Sequence, residues 1–489
     1  MLREPPTPAL DGEATLARNT DATLAEQLAA RLAARIRQHL LAPGTRLPSV
    51  RECARRQQVS PSTVVAAYDR LLASGLVEAR PQRGFFVRSA PEGEAAAAEA
   101  PGAARSAAPR TPLPLSATAL IRAMFQPPGG QPMPGLGTLP PEWLDLPLLS
   151  AALRKGSAAG AESGVLLHYG EAAGESRLRQ ALARRLGDFG VSAVPEQIVT
   201  TLGATQALDV VTRALLKPGD AVLVDEPGWS VEYARLAALG MRVLPVPRRD
   251  DGPDLAVMRQ LIEAQPAARR PRLYVTVSVL HNPTGASLSL QAAHRVLQLA
   301  HEHGLTIVED DTYAHLASPH LPRLSALDAL ERTIYIGGFS KILAPNWRVG
   351  FLAAPHALVD RFIDTKLLGT LTTPAVTELA LAHCLEHGQL RRHAERVVQR
   401  LDAARARTVR VAEQHGCRFA APPRGLFGWV DAGIDTERLA RALLDAGWLI
   451  APGALFHATH RPTTLMRVNF ATSQDARFWR AVQREREAA

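Results

Sequence analysis

Leu24, Leu28, Leu32, Ile36 and Leu40 recur every four residues, which predicts one apolar stripe along a helix that Pro43-Gly44 terminates. SVRE opens a second helix at Ser49, with Glu52 placed for a capping box. A turn at Gln57 to Val59 leads into SPSTVVAAYDRLLASG, in which Ser60 is the N-cap, Pro61 the first helical residue and Gly75 the stop. The strand-prone segments LVEAR and GFFV flank Pro81 to Gly84 and predict a short hairpin.

Farther along, the period changes. QIVTTLG precedes TQALDVVTRALL, AVLVDEP precedes WSVEYARLAALG, and RLYVTVSVL precedes SLQAAHRVLQLAHEHG; LTIVEDD and TIYIGGF follow. Apolar strands alternating with amphipathic helices predict an α/β unit around a largely parallel sheet, with ligands at the C-terminal ends of its strands. Between the two regions, Ser89 to Ala117 is rich in Ala and Pro and has no aromatic residue. Such a segment buries too little apolar surface to offset its ordering entropy, so it is expected to be a linker. The expected organisation is a flexible tail at 1–20, a small helical unit at 21–88, the linker at 89–117 and a large unit at 118–489.

Charge and composition narrow the class. The chain of 489 residues carries a formal net charge of +9. Between Asp21 and Ala90 stand 11 arginines against 5 acidic residues, so the excess is concentrated in the small unit, as expected of one that meets nucleic acid. Cys53, Cys384 and Cys417 are scattered at no metal-ligand or CxxC spacing, which supports neither a zinc site nor a disulfide framework. With no apolar signal core at the N-terminus and no long apolar run, the expected location is the cytoplasm. Lysine is rare: only Lys155, Lys217, Lys341 and Lys366 could serve as an amine nucleophile.

Unusual polar residues fall just after the predicted strands, in LGATQ, LHNPTG, EDDTY and FSKILAPNWR. With EPGWS and LMRVNFA, this ordered set from about Tyr169 to Phe470 resembles the pyridoxal-phosphate enzymes of the class I aminotransferase fold, with a smaller C-terminal α+β subdomain. The resemblance implies pyridoxal 5'-phosphate as cofactor and Lys341 as the Schiff-base residue. Arg348, seven residues on, matches the family's phosphate-binding arginine. Asp310 is the better candidate for the carboxylate at the ring nitrogen, because Tyr313 follows three residues later as in the family; Asp311 and Glu309 are alternatives. Tyr313 and Asn282 are expected at the phenolic oxygen of the ring.

The turn Gly203-Ala204-Thr205 opens a helix whose free amides suit a phosphate dianion. Ser340 adds a hydroxyl, and Tyr169 resembles the tyrosine that the family lends to the neighbouring subunit's phosphate. Trp229 stands where a tyrosine is usual and is expected to stack on the ring. Arg467 matches the arginine for a substrate carboxylate, which implies an amino or keto acid ligand. One departure is Gly338, where the family often has a phosphate-binding serine.

The stretch from Leu24 to Val87, with LPSVRE, VSPSTV and RGFFV, resembles the winged helix-turn-helix of the GntR class. In that fold the Ser60 to Ser74 helix enters the major groove of double-stranded DNA, and Arg46, Arg51, Ser62, Thr63, Arg80 and Arg83 are the expected contacts. Pro61 stands where the family frequently has an arginine. A GntR-type reader linked to an aminotransferase-like domain resembles the MocR family of bacterial regulators. That resemblance implies a homodimeric transcriptional regulator that senses the cofactor, or an amino compound, by aldimine chemistry at Lys341. The alternative is an active aminotransferase that carries an accessory DNA-binding unit.

Overall fold

The computed structural model describes residues 22–37, 41, 43–80, 83–88, 133–459 and 461–488. The expected tail at 1–20 and linker at 89–117, together with Leu40, Pro81 and residues 118–132, lie outside the described residues. The chain separates into two compact units.

The smaller unit has three helices and a hairpin: α1 (Leu24–Arg37), α2 (Val50–Gln57), α3 (Pro61–Ala73), β1 (Val77–Arg80) and β2 (Gly84–Val87). The apolar stripe of α1 buries Leu28, Leu32 and Ile36 against Val64, Ala67, Tyr68 and Leu71 of α3. Each buried aliphatic side chain contributes about 1.5–3 kcal/mol, so this small core depends on nearly all of them. Ser49 caps α2 by accepting from the Glu52 amide at 3.3 Å, while the Glu52 carboxylate pairs with Arg56. Ser60 caps α3 in the same way from Thr63 at 3.1 Å, with Pro61 in the first turn. Such caps are each worth about 1 kcal/mol. β1 and β2 pair antiparallel from Val77↔Val87 to Arg80↔Gly84.

The larger unit is built on β3 (Ile198–Thr201), β4 (Ala221–Glu226), β5 (Arg242–Arg249), β6 (Gly252–Pro253), β7 (Leu273–Thr276), β8 (Thr306–Asp310), β9 (Thr333–Gly338) and β10 (Gly350–Ala353). They form one sheet in the order β3-β10-β9-β8-β7-β4-β5-β6. β5, β4, β7, β8 and β9 are parallel, whereas β10 runs antiparallel to both β3 and β9. The continuous apolar runs follow from cover on both faces. Val222 and Val224 pack with Leu208 and Val211 of the helix Ala204–Leu215. Leu223, between them, joins Met258, Val296 and Leu299 on the opposite face.

A second, antiparallel sheet comprises β11 (Arg418–Phe419), β12 (Phe427–Asp431), β13 (Ala451–Pro452) and β14 (Leu465–Asn469), in the order β11-β12-β14-β13. This gives the small helical unit and the α/β sheet that the pattern predicts, with β10 making the sheet mixed, and the smaller C-terminal α+β part that the resemblance implies. No helix among the described residues is long and apolar enough to cross a membrane.

Candidate functional site: a cofactor cleft and a DNA reader

The parallel strands β4, β7, β8 and β9 end on the same edge of the sheet, at Glu226, Thr276, Asp310 and Gly338. Residues just beyond these ends therefore converge, and this edge is where α/β sheets receive ligands. Lys341 sits in the turn after β9, and its Nζ donates to the Gly137 carbonyl at 2.8 Å. Burial lowers its amine to about 8; Arg467 and Arg348 push the same way and Asp310 opposes them. A primary amine held near neutrality is a competent nucleophile, which a solvated lysine is not.

Three successive acids end β8, and their surroundings separate them. Glu309 is fully buried and accepts from the amides of Leu324 and Ser325 at 2.7 Å each, as well as from Ser278. Asp311 is tied into the core by Arg323 at 2.5 Å and by the Tyr335 hydroxyl at 2.9 Å. Asp310 bonds to Thr312 and lines a small cavity with Trp229, Asp225, Glu232 and His281. Burial raises its carboxyl to about 6. Of the three acids, Asp310 alone faces the cavity that Trp229 walls.

Arg467 lies on β14 and is 5% exposed. Its guanidinium donates to Asn282 Oδ1 at 3.0 Å and to the Gly135 carbonyl at 2.7 Å, with Cζ 4.4 Å from the Phe427 ring centroid. Those acceptors are neutral, and its Nε has no hydrogen-bond partner. Burial pulls the group down to about 10, as desolvation of an unpaired cation requires. Tyr313, buried beside it, has its phenol raised by burial, with Arg467 and Asn282 acting against the rise. Asn282 thus joins the two.

The helix Ala204–Leu215 points its N-terminus at the same edge. Gly203 holds φ +79°, and a Cβ there would lie 2.8 Å from the Arg348 guanidinium, which donates to the Leu202 carbonyl at 2.6 Å. Only glycine allows both that backbone and that approach. Ala204 and Thr205 open the helix, where amides lack intrahelical acceptors. Gly338 lies alongside: a Cβ there would meet Ala204 N at 3.7 Å, an ordinary contact, so the missing serine leaves room. Ser340 is half-buried in the turn before Lys341. Tyr169 is 79% exposed, and Leu167, two residues earlier, is 84% exposed.

An amine, a cavity-lining carboxylate, an aromatic wall, a helix N-terminus with an arginine, and a buried guanidinium with an orphaned donor are a donor set that fits pyridoxal phosphate and a carboxylate-bearing ligand. A polar network that sequence reading did not find supports them. Asp225 accepts from Arg248 at 2.7 Å, Thr276 at 2.8 Å and Tyr274 at 2.5 Å, all buried. An acid at the end of the apolar run AVLVDEP was a visible signal; Arg248 was not, because its partner lies on a neighbouring strand.

In the small unit, Arg46, Arg51 and Arg83 are exposed with no carboxylate partner among the described residues. Arg80 is different, since it pairs with Glu78 at 2.6 Å and lies 4.5 Å over the Phe86 ring. Ser62 and Thr63 share hydrogen bonds of 2.8 Å with the Ser60 cap at the start of α3, and Ser62 is exposed there.

Residues 24–87 match the family of bacterial regulatory proteins called gntR, and residues 144–484 match aminotransferase class I and II. The chain is 32% identical to the probable rhizopine catabolism regulatory protein MocR of Rhizobium meliloti, over 90% of this chain and 86% of that protein. It is 27% identical to the HTH-type transcriptional regulator YisV of Bacillus subtilis, over 94% and 95%. Among solved structures, LysN, the α-aminoadipate aminotransferase of Thermus thermophilus, matches at 27% identity with a TM-score of 0.67, over 76% of this chain and 94% of that one. A winged reader and an aminotransferase-type domain in one chain, matched along nearly its whole length by regulators of the same build, mean that this protein belongs to the MocR family of GntR-type transcriptional regulators.

Proposed function

We propose that this regulator holds pyridoxal phosphate at Lys341 and uses it to sense a small amino compound bearing a carboxylate, with DNA binding as the output. The observation that carries the reading is Arg467: a buried cation with neutral acceptors and an orphaned Nε, set beside a lysine whose amine is lowered to about 8. Bound there, pyridoxal phosphate supplies an aldehyde that condenses with primary amines and a ring that withdraws electrons. Lys341 would present its amine; Asp310, as a carboxylate, would accept a hydrogen bond from the protonated ring nitrogen and keep it protonated; Tyr313 and Asn282 would serve the phenolic oxygen; and Trp229 would cover the ring. The amides of Ala204 and Thr205, with Arg348 and Ser340, take the phosphate. Arg467 orients the ligand's carboxylate in bidentate fashion.

The solved LysN structure, whose ligand is N-(5'-phosphopyridoxyl)-L-leucine, supports an amino acid as the class of effector. The exposed Tyr169 and Leu167 support a homodimer in which Tyr169 reaches the partner's phosphate. A ligand alters the output only through different affinities for two states of the dimer that present the readers differently. α3 enters the major groove, with Ser62 and Thr63 at its leading end and Arg46, Arg51, Arg80 and Arg83 on phosphates or the adjacent groove.

The test is retention of the gene's own promoter DNA with and without pyridoxal phosphate, then with added amino acids. Cofactor-dependent retention that specific amino acids change is the expected result. Retention unaffected by cofactor, or none at low salt, overturns the reading. The same set of residues is sufficient for amino transfer, so rapid turnover of an amino acid and keto acid pair would instead identify an enzyme with an accessory reader.

A further inference from the structure

Glu232 is, with Asp225 and Asp310, one of three carboxylates on the cavity at the Asp310 end of the site, and the reading above gives it no role. It stands in the first turn of the helix Ser230–Ala238, three residues after Trp229, and is 5% exposed. Arg235, one turn on, grips it with Nε at 3.0 Å and one terminal nitrogen at 2.6 Å. The same guanidinium donates to Thr212 at 3.0 Å and stands 3.7 Å from Asp209, both on the helix that opens the phosphate cup. Glu232 and Asp310 line one cavity of about 30 Å³, enough to admit a water molecule.

We propose that Glu232 is a positioning residue that, balanced by Arg235, sets the pH range in which Asp310 is ionised and can accept a hydrogen bond from the protonated ring nitrogen of pyridoxal phosphate. This rests on the cofactor reading above. Two buried carboxylates on one cavity oppose each other's ionisation, and a nearby cation relieves that opposition. Asp310 is raised to about 6 chiefly by burial, with Thr312 opposing and Glu232 adding to the rise. The other groups around the pair are Tyr233 on the same helix, Asp225 and Glu226 at the end of β4, Arg248 on β5 paired with Asp225, His281 after β7 and Lys341 after β9. All of these stay unchanged in variants at 232 and 235, so such variants isolate the two charges.

The signs are opposite. Glu232→Gln removes the negative charge and leaves the Arg235 cation, so Asp310 ionises at lower pH. Arg235→Gln leaves Glu232 unbalanced, so Asp310 ionises at higher pH. Below that ionisation the ring N–H has no anionic acceptor and affinity falls.

The experiment measures the dissociation constant of pyridoxal phosphate by tryptophan quenching, on the full chain from pH 5 to 9. In the unsubstituted protein, affinity is expected to fall as pH drops through about 6. Its lower edge should move down by about one pH unit in Glu232→Gln and up by about one in Arg235→Gln. Edges that stay in place, or that both move the same way, overturn the proposal, since general damage to the site has no reason to split them. If Glu232→Gln does not fold, the Arg235→Gln edge decides alone: an upward move supports the proposal and any other result overturns it. Absence of saturable binding in the unsubstituted chain would instead overturn the cofactor reading itself.

Discussion

The Arg467 guanidinium donates to Asn282 Oδ1 at 3.0 Å, tying β14 of the small sheet to the loop after β7 of the large one. A cation therefore sits at the strand ends with its position fixed and its charge unmatched. Substitution of Arg467 by Lys removes the fork and the contact over Phe427. Binding of an amino acid effector should weaken by roughly 10- to 100-fold, the cost of a lost charge-assisted pair. Binding of the corresponding decarboxylated amine should change little. Calorimetric titration of both ligands against both proteins checks this.

Lys341→Ala should abolish covalent retention of the cofactor while leaving the fold intact. Borohydride reduction followed by mass spectrometry should place the added mass on Lys341 in the unsubstituted chain and nowhere in the variant. Because the folded amine is lowered to about 8, the attachment rate should rise by about tenfold per pH unit below that value and level off above it. The lowered value also has a stability sign. The unfolded chain binds more protons between about 8 and 10.5, so the cofactor-free protein gains stability at this residue as pH rises through that window.

Asp310 and Asp311 should respond oppositely to the same substitution. Asp310→Asn should lose cofactor affinity with little change in melting temperature. Asp311→Asn strands the fully buried Arg323, and breaking such a pair costs about 3–5 kcal/mol. Thermal melts and cofactor titrations on the two variants separate the roles.

Gly338→Ser should tighten the phosphate cup. The site accepts a Cβ at ordinary distance from Ala204, the first residue of the helix, which brings the added hydroxyl near the helix N-terminus. A gain of about 1 kcal/mol, roughly fivefold in cofactor affinity, is the scale of one hydrogen bond. Equilibrium dialysis with pyridoxal phosphate measures it.

For the reader, Arg51→Ala and Arg83→Ala should each weaken DNA binding across sequences and reduce the slope of log affinity against log salt by about 1. Arg80→Ala should act differently, because its guanidinium is already engaged by Glu78 and Phe86. Its loss should loosen the wing more than it changes the salt slope. Fluorescence anisotropy over a salt series reads both effects.

Local signals decided much of this protein. The four-residue stripe of α1, the caps at Ser49 and Ser60 and the apolar runs of β4, β8 and β9 are properties of short segments, set by burial on one face or two and by backbone groups that need partners. Those signals said only where to look; the residues after the strands could be named before their geometry was known because their ordered motifs resemble the class I aminotransferases. The choice among Glu309, Asp310 and Asp311 was not local: adjacent strand residues point to opposite faces, and which face holds the cavity depends on Ser278, Leu324, Ser325 and Arg323, which come from elsewhere in the chain. The antiparallel insertion of β10 beside β9, the pairing of Asp225 with Arg248, and the cavity shared by Glu232 and Asp310 are likewise long-range. A sequence states the charge of such groups, but only the tertiary structure decides which opposing charge is near enough to matter.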